Sequence, residues 1–260
     1  MNLNLTGKVV VISGGAKGIG AAISLACAAE DAIPVMLDRD SAALSQMEEK
    51  LAAKEYRYGA FQCDLTDVSQ CERAIQSARE NFGKIDALVN NAGINDGVGL
   101  EKGSPERFLH SLQKNLHHYY ALAHFAFPAL KASRGSIVNI ASKTAVTGQG
   151  GTSGYVAAKG AILALTREWA IEFLPYHVRV NAVVPAEVMT PLYEQWLATF
   201  PDPQQKLASI VSKIPFERRM TRAEEIASMV LYLLSDQASH ITGQHLYVDG
   251  GYVHLDRALS

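Results

Sequence analysis

Short apolar runs alternate along this chain with longer amphipathic stretches. Val9–Ser13 is apolar at consecutive positions and rich in β-branched residues. It lacks the two-residue alternation of a strand with one wet face, so it reads as a strand buried on both faces. Strand-like runs recur at Pro34–Leu37, Tyr58–Cys63, Ile85–Asn90, Ser136–Ile140, Val178–Val184 and Leu246–Val248. Helical patterns fill the intervals: Ile19–Ala29, Ser41–Lys54, Asp67–Phe82, Ser104–Lys131 and Ser153–Phe173. Ser104-Pro105-Glu106 is a helix start, with a Ser N-cap, Pro at the first helical position and an acid in the first turn. Thr221-Arg222-Ala223-Glu224 has the spacing of a capping box for a helix reaching Leu234.

Repeated strand–helix–strand units demand parallel strands and right-handed crossovers. The expectation is a single doubly wound, Rossmann-type α/β domain over residues 1–260, with a seven-stranded, mostly parallel sheet. Such a sheet binds its ligand at the carboxyl ends of the strands, where strand order reverses. Pro191–Met220, broken by Pro191, Pro201, Pro203 and Pro215, is the irregular stretch. It is expected to be a substrate lid or a plain surface excursion.

Composition narrows the class. With 260 residues, 48% hydrophobic and 19% charged, the chain has a core large enough to need neither disulfide nor metal, and it is not disordered, collagenous or a coiled coil. A net charge of −2 argues against a uniformly basic nucleic-acid surface. Cys27, Cys63 and Cys71 form an odd set without a Cys-x-x-Cys pair, which suits reduced thiols. The start, Met1 to Lys8, lacks the pattern of a signal peptide, and no apolar run approaches the ~20 residues that span a bilayer. A cytoplasmic protein with no membrane or nucleic-acid partner is therefore expected. The histidines form no metal set; His117 and His118 are adjacent on a helix and point apart.

The chemistry begins at Ser13-Gly14-Gly15-Ala16-Lys17-Gly18-Ile19-Gly20, between the first strand and first helix. A glycine-rich turn there lets backbone N–H groups approach a pyrophosphate at a helix N-terminus; an ordinary tight turn is the bland alternative. Asp38 ends the second strand, where a carboxylate accepts the hydroxyls of an adenosine ribose and repels a 2′-phosphate, favouring NAD over NADP. Lys17 and Arg39 are the opposing evidence, since either would pair with a 2′-phosphate. Tyr155 and Lys159 stand four apart on a helix and share a face. A nearby ammonium lowers the pKa of a phenol, which makes Tyr155 a base for a hydroxyl proton.

The glycine spacing resembles the Thr-Gly-x-x-x-Gly-x-Gly motif of the short-chain dehydrogenase/reductase family, with Ser13 in place of Thr. Asn90-Asn91-Ala92-Gly93, Cys63-Asp64-Leu65, Val248-Asp249-Gly250-Gly251 and Tyr155-Val156-Ala157-Ala158-Lys159 resemble further segments of that family, with Ser142 at its usual offset upstream of the tyrosine. The resemblance implies that Tyr155, Lys159, Ser142 and Asn115 are catalytic. It also implies that Gly14, Lys17, Gly18, Ile19, Gly20, Asp38, Asp64, Leu65, Asn91, Gly93, Tyr155, Lys159, Val188 and Thr190 hold the cofactor. Asn115 would position a water linking Lys159 to solvent.

The segment Pro185-Ala186-Glu187-Val188-Met189-Thr190 departs from the family's usual Pro-Gly. Glu187 adds a carboxylate beside the nicotinamide pocket, either a polyol acceptor or a solvated charge. Gln149, Asn95 and Asp96 lie on loops expected at the same mouth, so the substrate set is Ser142, Gln149, Tyr155 and Glu187. The longer segment Pro185–Tyr193 and the tail His254–Leu259 resemble bacterial L-fucose dehydrogenases within the family, which implies an aldose oxidised to its lactone with NAD. An NADPH-dependent ketoacyl or hydroxysteroid reductase is the alternative enzyme, and a non-catalytic nucleotide sensor the alternative of another class. The family's habit of forming tetramers implies a homotetramer. Tyr119, Phe125, Phe127 and Trp169 are expected in core or subunit packing.

Overall fold

Strands that are apolar on consecutive positions can be buried only between two helical layers, and the chain supplies both. The structure, a computed structural model, describes residues 2–256. Along it run β1 (Val9–Ser13), α1 (Gly18–Ala29), β2 (Ile33–Asp38), α2 (Ser41–Ala52), β3 (Gly59–Gln62), α3 (Val68–Phe82), β4 (Ala87–Asn90), α4 (Pro105–Leu112), α5 (His118–Ser133), β5 (Ser136–Ile140), α6 (Ser153–Glu172), β6 (Arg179–Pro185), α7 (Pro191–Leu197), α8 (Pro203–Val211), α9 (Ala223–Leu234) and β7 (His245–Val248). One seven-stranded sheet in the order β3-β2-β1-β4-β5-β6-β7 forms a single α/β domain. All six pairings are parallel rather than mostly so, because each connection between neighbours passes over a face of the sheet. On one face α3, α5 and α6 cover Val9, Val11, Leu88, Ile137 and Val180. On the other, α1 and α9 cover Val10, Ile12, Val89, Val138 and Val183. The order reverses between β1 and β4, which opens a crevice at their carboxyl ends.

Buried amides tie the layers in register. Asn90 Nδ2 donates to Asn139 Oδ1 at 3.0 Å, and Asn139 Nδ2 donates to Thr166 Oγ1 at 3.0 Å, joining β4 to β5 and β5 to α6. Asn90 Oδ1 itself has no partner, yet the two bonds favour one arrangement of α6, since a slip leaves further buried amide groups unpaired.

Three expectations need correction. The long helix expected over Ser104–Lys131 is two helices separated by a π turn at Gln113–His117. Asn115 explains the break: its side-chain amide donates to Ser111 O at 3.0 Å, the carbonyl that a regular turn would give to the Asn115 backbone. Helix α9 starts one residue later than the sequence pattern implies. Glu225, not Glu224, accepts from the Arg222 backbone N–H at 2.8 Å, while Thr221 is held in a bridge to Val188. The Pro191–Met220 stretch is helical through much of its length up to Val211, with Pro191 and Pro203 starting α7 and α8 behind the N-caps Thr190 and Asp202.

Candidate active site

The glycine-rich turn crosses the carboxyl end of β1 and is bolted to β4. Ser13 Oγ accepts from the backbone N–H groups of Asn91 (2.9 Å) and Ala92 (3.1 Å). Asn91 Nδ2 returns bonds to Ser13 O (2.9 Å) and Gly14 O (3.2 Å). Ser13, the residue that departs from the family's threonine, therefore performs the joining. A Cβ on Gly20 would sit 2.0 Å from Gly14 O, so no other residue fits the start of α1 there. The N-cap of α1, Lys17, makes no side-chain capping bond, unlike Asp40 and Asp67 at the next two helices. Its first N–H groups stay available to an anion. Thr190 faces the same turn: a Cβ on Gly18 would lie 3.4 Å from Thr190 Cβ and Cγ2. A pyrophosphate fits this cradle of turn backbone and helix terminus.

Asp38 lies at the rim, its carboxylate accepting from Ala16 N (3.3 Å) and Asp40 N (3.1 Å). Lys17 Nζ is paired with Asp40, whose carboxyl this partner holds below the usual range. That pairing draws the ammonium toward Asp40. Arg39 is exposed. Asp64 is exposed and accepts from the Thr66 hydroxyl (2.8 Å) and backbone (3.0 Å), which hold its carboxyl low; Leu65 beside it is half-buried.

Four sequence-chosen side chains converge at the other end of the crevice. Ser142 follows β5 and is buried. Its oxygen accepts from Thr144 Oγ1 (3.0 Å) and Thr144 N (3.3 Å). With its lone pairs so engaged, the Ser142 proton is directed elsewhere, and a hydrogen bond with Ser142 lowers the Tyr155 pKa while burial raises it more. Thr144 had no signal in the sequence. Lys159 is one α6 turn from Tyr155 and 2% exposed. Its Nζ is 5.6 Å from the Tyr155 ring centre and donates to Ile140 O at 2.8 Å and to Tyr119 Oη at 3.0 Å. Desolvation pulls its pKa from 10.5 to about 7.

Asn115 Oδ1 accepts from Ile94 N at 2.7 Å, so the π turn also shapes the loop after β4. Gly93 on that loop has a steric reason: a Cβ there would lie 3.1 Å from Asn115 Oδ1 and 3.5 Å from Lys159 Nζ. His118 is buried and donates from Nε2 to Ala92 O at 3.1 Å, whereas His117 is exposed. Burial, then the Lys159 ammonium, push His118 down to about 4.

Glu187 is not a solvated charge. It is ion-paired with Lys143, the residue after Ser142, and both side chains are largely buried. Tyr193 on α7 donates to Glu187 Oε2 at 2.8 Å, and Lys143 Nζ lies 3.9 Å over the Tyr252 ring. The loop carrying Glu187 and Val188 is stapled to Thr221 through Thr221 N to Glu187 O (2.9 Å) and Met189 N to Thr221 O (3.2 Å). Lys143, Tyr193 and Tyr252 were missed because they lie far apart in sequence. Gln149 stands exposed on the loop before α6, and Asp96 is occupied by Ser111 Oγ at 2.9 Å. The tail through Asp256 is described, while Arg257, Ala258 and Leu259 lie outside the described residues. No helix among the described residues is long and apolar enough to cross a membrane.

A glycine cradle at the β1–β4 reversal, with a tyrosine and a desolvated lysine at its far end, defines a class. A family model described as enoyl-(acyl carrier protein) reductase matches residues 14–253. The chain belongs to the short-chain dehydrogenase/reductase family, oxidoreductases of CH–OH groups that use nicotinamide cofactors. Among individual proteins, it is 34% identical to the L-fucose dehydrogenase of Bos taurus over 252 residues, 96% of this chain and 91% of the relative. It is 32% identical to the 3-oxoacyl-(acyl-carrier-protein) reductase of Thermotoga maritima, covering 96% of this chain and 100% of the relative. The crystal structure of Cj0485 dehydrogenase superposes with a TM-score of 0.95 at 46% identity, covering 100% of this chain and 99% of that one.

Proposed function

We propose that the protein is an NAD-dependent dehydrogenase that oxidises a small polyhydroxylated substrate, an aldose such as L-fucose, at its hemiacetal carbon to give the lactone. The observation that carries the substrate class is the buried Lys143–Glu187–Tyr193 cluster beside Ser142. Charged and hydroxyl groups gathered in one wall suit a sugar, which offers them further hydrogen bonds, rather than an acyl chain, which would set apolar surface against them.

In this reading Tyr155 is the base. It takes the proton of the C1 hydroxyl as the C1–H hydride departs and the C=O bond forms. The nicotinamide, when bound, supplies the hydride acceptor. Ser142, its lone pairs engaged by Thr144, donates to the substrate oxygen and fixes its place. The Lys159 ammonium stabilises the Tyr155 phenolate and binds the nicotinamide ribose, and Asn115 anchors a relay from Lys159 to solvent. Gly14, Gly18, Ile19 and Gly20 hold the pyrophosphate with Thr190, while Asp38 takes the adenosine ribose and Asp64 and Leu65 the adenine. Asn91, Gly93 and Val188 complete the cofactor wall. Support for NAD comes from Asp38 at the rim and from the pairing of Lys17 with Asp40. Helices α7 and α8 serve as the lid, joined to the substrate wall through Tyr193.

The second reading, an NADPH-dependent ketoacyl reductase, is favoured by the Thermotoga relative. A spectrophotometric screen of NAD and NADP against aldoses, polyols, hydroxyacyl thioesters and hydroxysteroids decides between them. The expected outcome is the highest kcat/KM with NAD and an aldose. Preference for NADP with a hydroxyacyl thioester, and no sugar turnover, overturns the proposal.

A further inference from the structure

We propose that Tyr119 is a positioning residue for Lys159, and through it for Tyr155: its phenol oxygen holds one N–H of the lysine in a closed triangle with Ile140 O. The inference rests on the reading of Tyr155 as the base. Tyr119 is 0% exposed and packs in the core beneath the sheet, as its apolar surroundings predict. Its hydroxyl, however, has a specific place. Tyr119 Oη donates to Ile140 O at 2.9 Å, and Lys159 Nζ donates to both Tyr119 Oη (3.0 Å) and Ile140 O (2.8 Å).

The directions are determined by chemistry. A carbonyl only accepts, so the phenol proton is committed to Ile140 and a phenol lone pair faces the lysine. Two of the three ammonium N–H groups are thereby fixed. The third is free to serve the site, and its direction follows from the other two. A lysine held only by its flexible stem would have no such direction.

The surroundings make the phenol matter for charge as well as geometry. Facing Lys159 are Tyr119 and His118 from α5, Tyr155 from α6 itself, Ile140 O from β5, and Gly93 with Asn115 from the loop and π turn beyond β4. None of these is a carboxylate. His118, pushed down to about 4, is neutral near pH 7, and burial keeps the Tyr119 phenol protonated. The ammonium therefore depends on neutral dipoles, and Tyr119 is one of its acceptors.

Tyr119→Phe removes one oxygen at nearly constant volume and leaves Ile140 O bonded to Lys159. With one acceptor fewer, the ammonium titrates at lower pH, the Tyr155 phenolate loses its partner sooner, and its own pKa rises. The acid limb of kcat/KM for alcohol oxidation should move up, by less than the Lys159 shift of about one pH unit that one hydrogen bond to a charged group supplies. A tyrosine that merely fills the core would leave the limb in place. Lys159 should also titrate lower in cofactor-free protein carrying ¹⁵Nζ-lysine, followed by NMR. A shifted limb and a lowered Lys159 titration support the proposal; an unmoved limb or an unmoved Lys159 overturns it.

Should the phenylalanine variant fail to fold, the wild-type ¹⁵Nζ spectrum decides. Slowly exchanging Lys159 N–H signals support the triangle, and rapid averaged exchange overturns it. Tyr155→Phe separates the two readings: if that variant keeps activity, the base assignment fails. If it is inactive while the Tyr119 variant behaves as wild type, only the present inference fails.

Discussion

Lys159→Met tests how much charge the site stores before any ligand arrives. The ammonium is 2% exposed, and desolvation lowers its pKa from 10.5 to about 7. A lysine whose folded pKa lies below its unfolded value penalises folding fully at low pH, where both states carry the proton. The penalty fades as pH rises, because the native state releases its proton near pH 7 and the unfolded chain only near 10.4. Over that window the unfolded state binds more protons, so stability rises with pH. Each unit of full difference is worth about 1.4 kcal/mol. Between pH 7 and pH 9 the native lysine goes from half to almost fully neutral while the unfolded one remains charged, so wild type should gain roughly 2 kcal/mol relative to Lys159→Met. Methionine nearly preserves the volume, and Ile140 O keeps its bond from Tyr119. The assay is urea unfolding of cofactor-free protein at both pH values and one protein concentration. Comparing the two proteins cancels the titration of groups they share. Parallel pH dependences in wild type and variant would refute the buried-ammonium argument.

Tyr155→Phe should lower kcat by at least about a hundredfold while NAD binding, read by fluorescence titration, stays near wild type; retention of more than about a tenth of kcat means that another group is the base. Lys143→Met and Glu187→Gln should each raise KM for the aldose by roughly ten- to a hundredfold with little change in KM for NAD, as expected for one charge-assisted hydrogen bond. The double variant should cost less than the sum, because the two residues form one pair; unchanged sugar kinetics in both single variants would detach the pair from the substrate. Assembly as a tetramer is supported by Tyr120 on α5 and Ile171 on α6, which are 55% and 69% exposed. Light scattering at micromolar concentration should give about four chain masses, and a stable monomer would overturn that assembly.

The alternation of doubly apolar strands with amphipathic helices was enough to determine the parallel sheet, since strands of that composition have no stable place except between two helical layers. The glycine turn and the Tyr155–Lys159 spacing were equally legible, because both are local: one is set by backbone room at a strand–helix junction, the other by the pitch of a single helix. The π turn at Asn115 was not legible, as it follows from a side-chain amide capturing a backbone carbonyl inside an otherwise helical pattern. Nor was the fate of Glu187. Its ion pair joins loops after β5 and β6, and its phenol partner comes from α7. Tyr119 is the sharpest instance: the sequence left it between core and subunit packing, and only the meeting of α5, α6 and the end of β5 buries it and brings its oxygen to Lys159. Sequence fixes what is decided by neighbours along the chain and by the choice between water and core. Hydrogen bonds between distant segments depend on ångström-scale distances that only the packed layers determine.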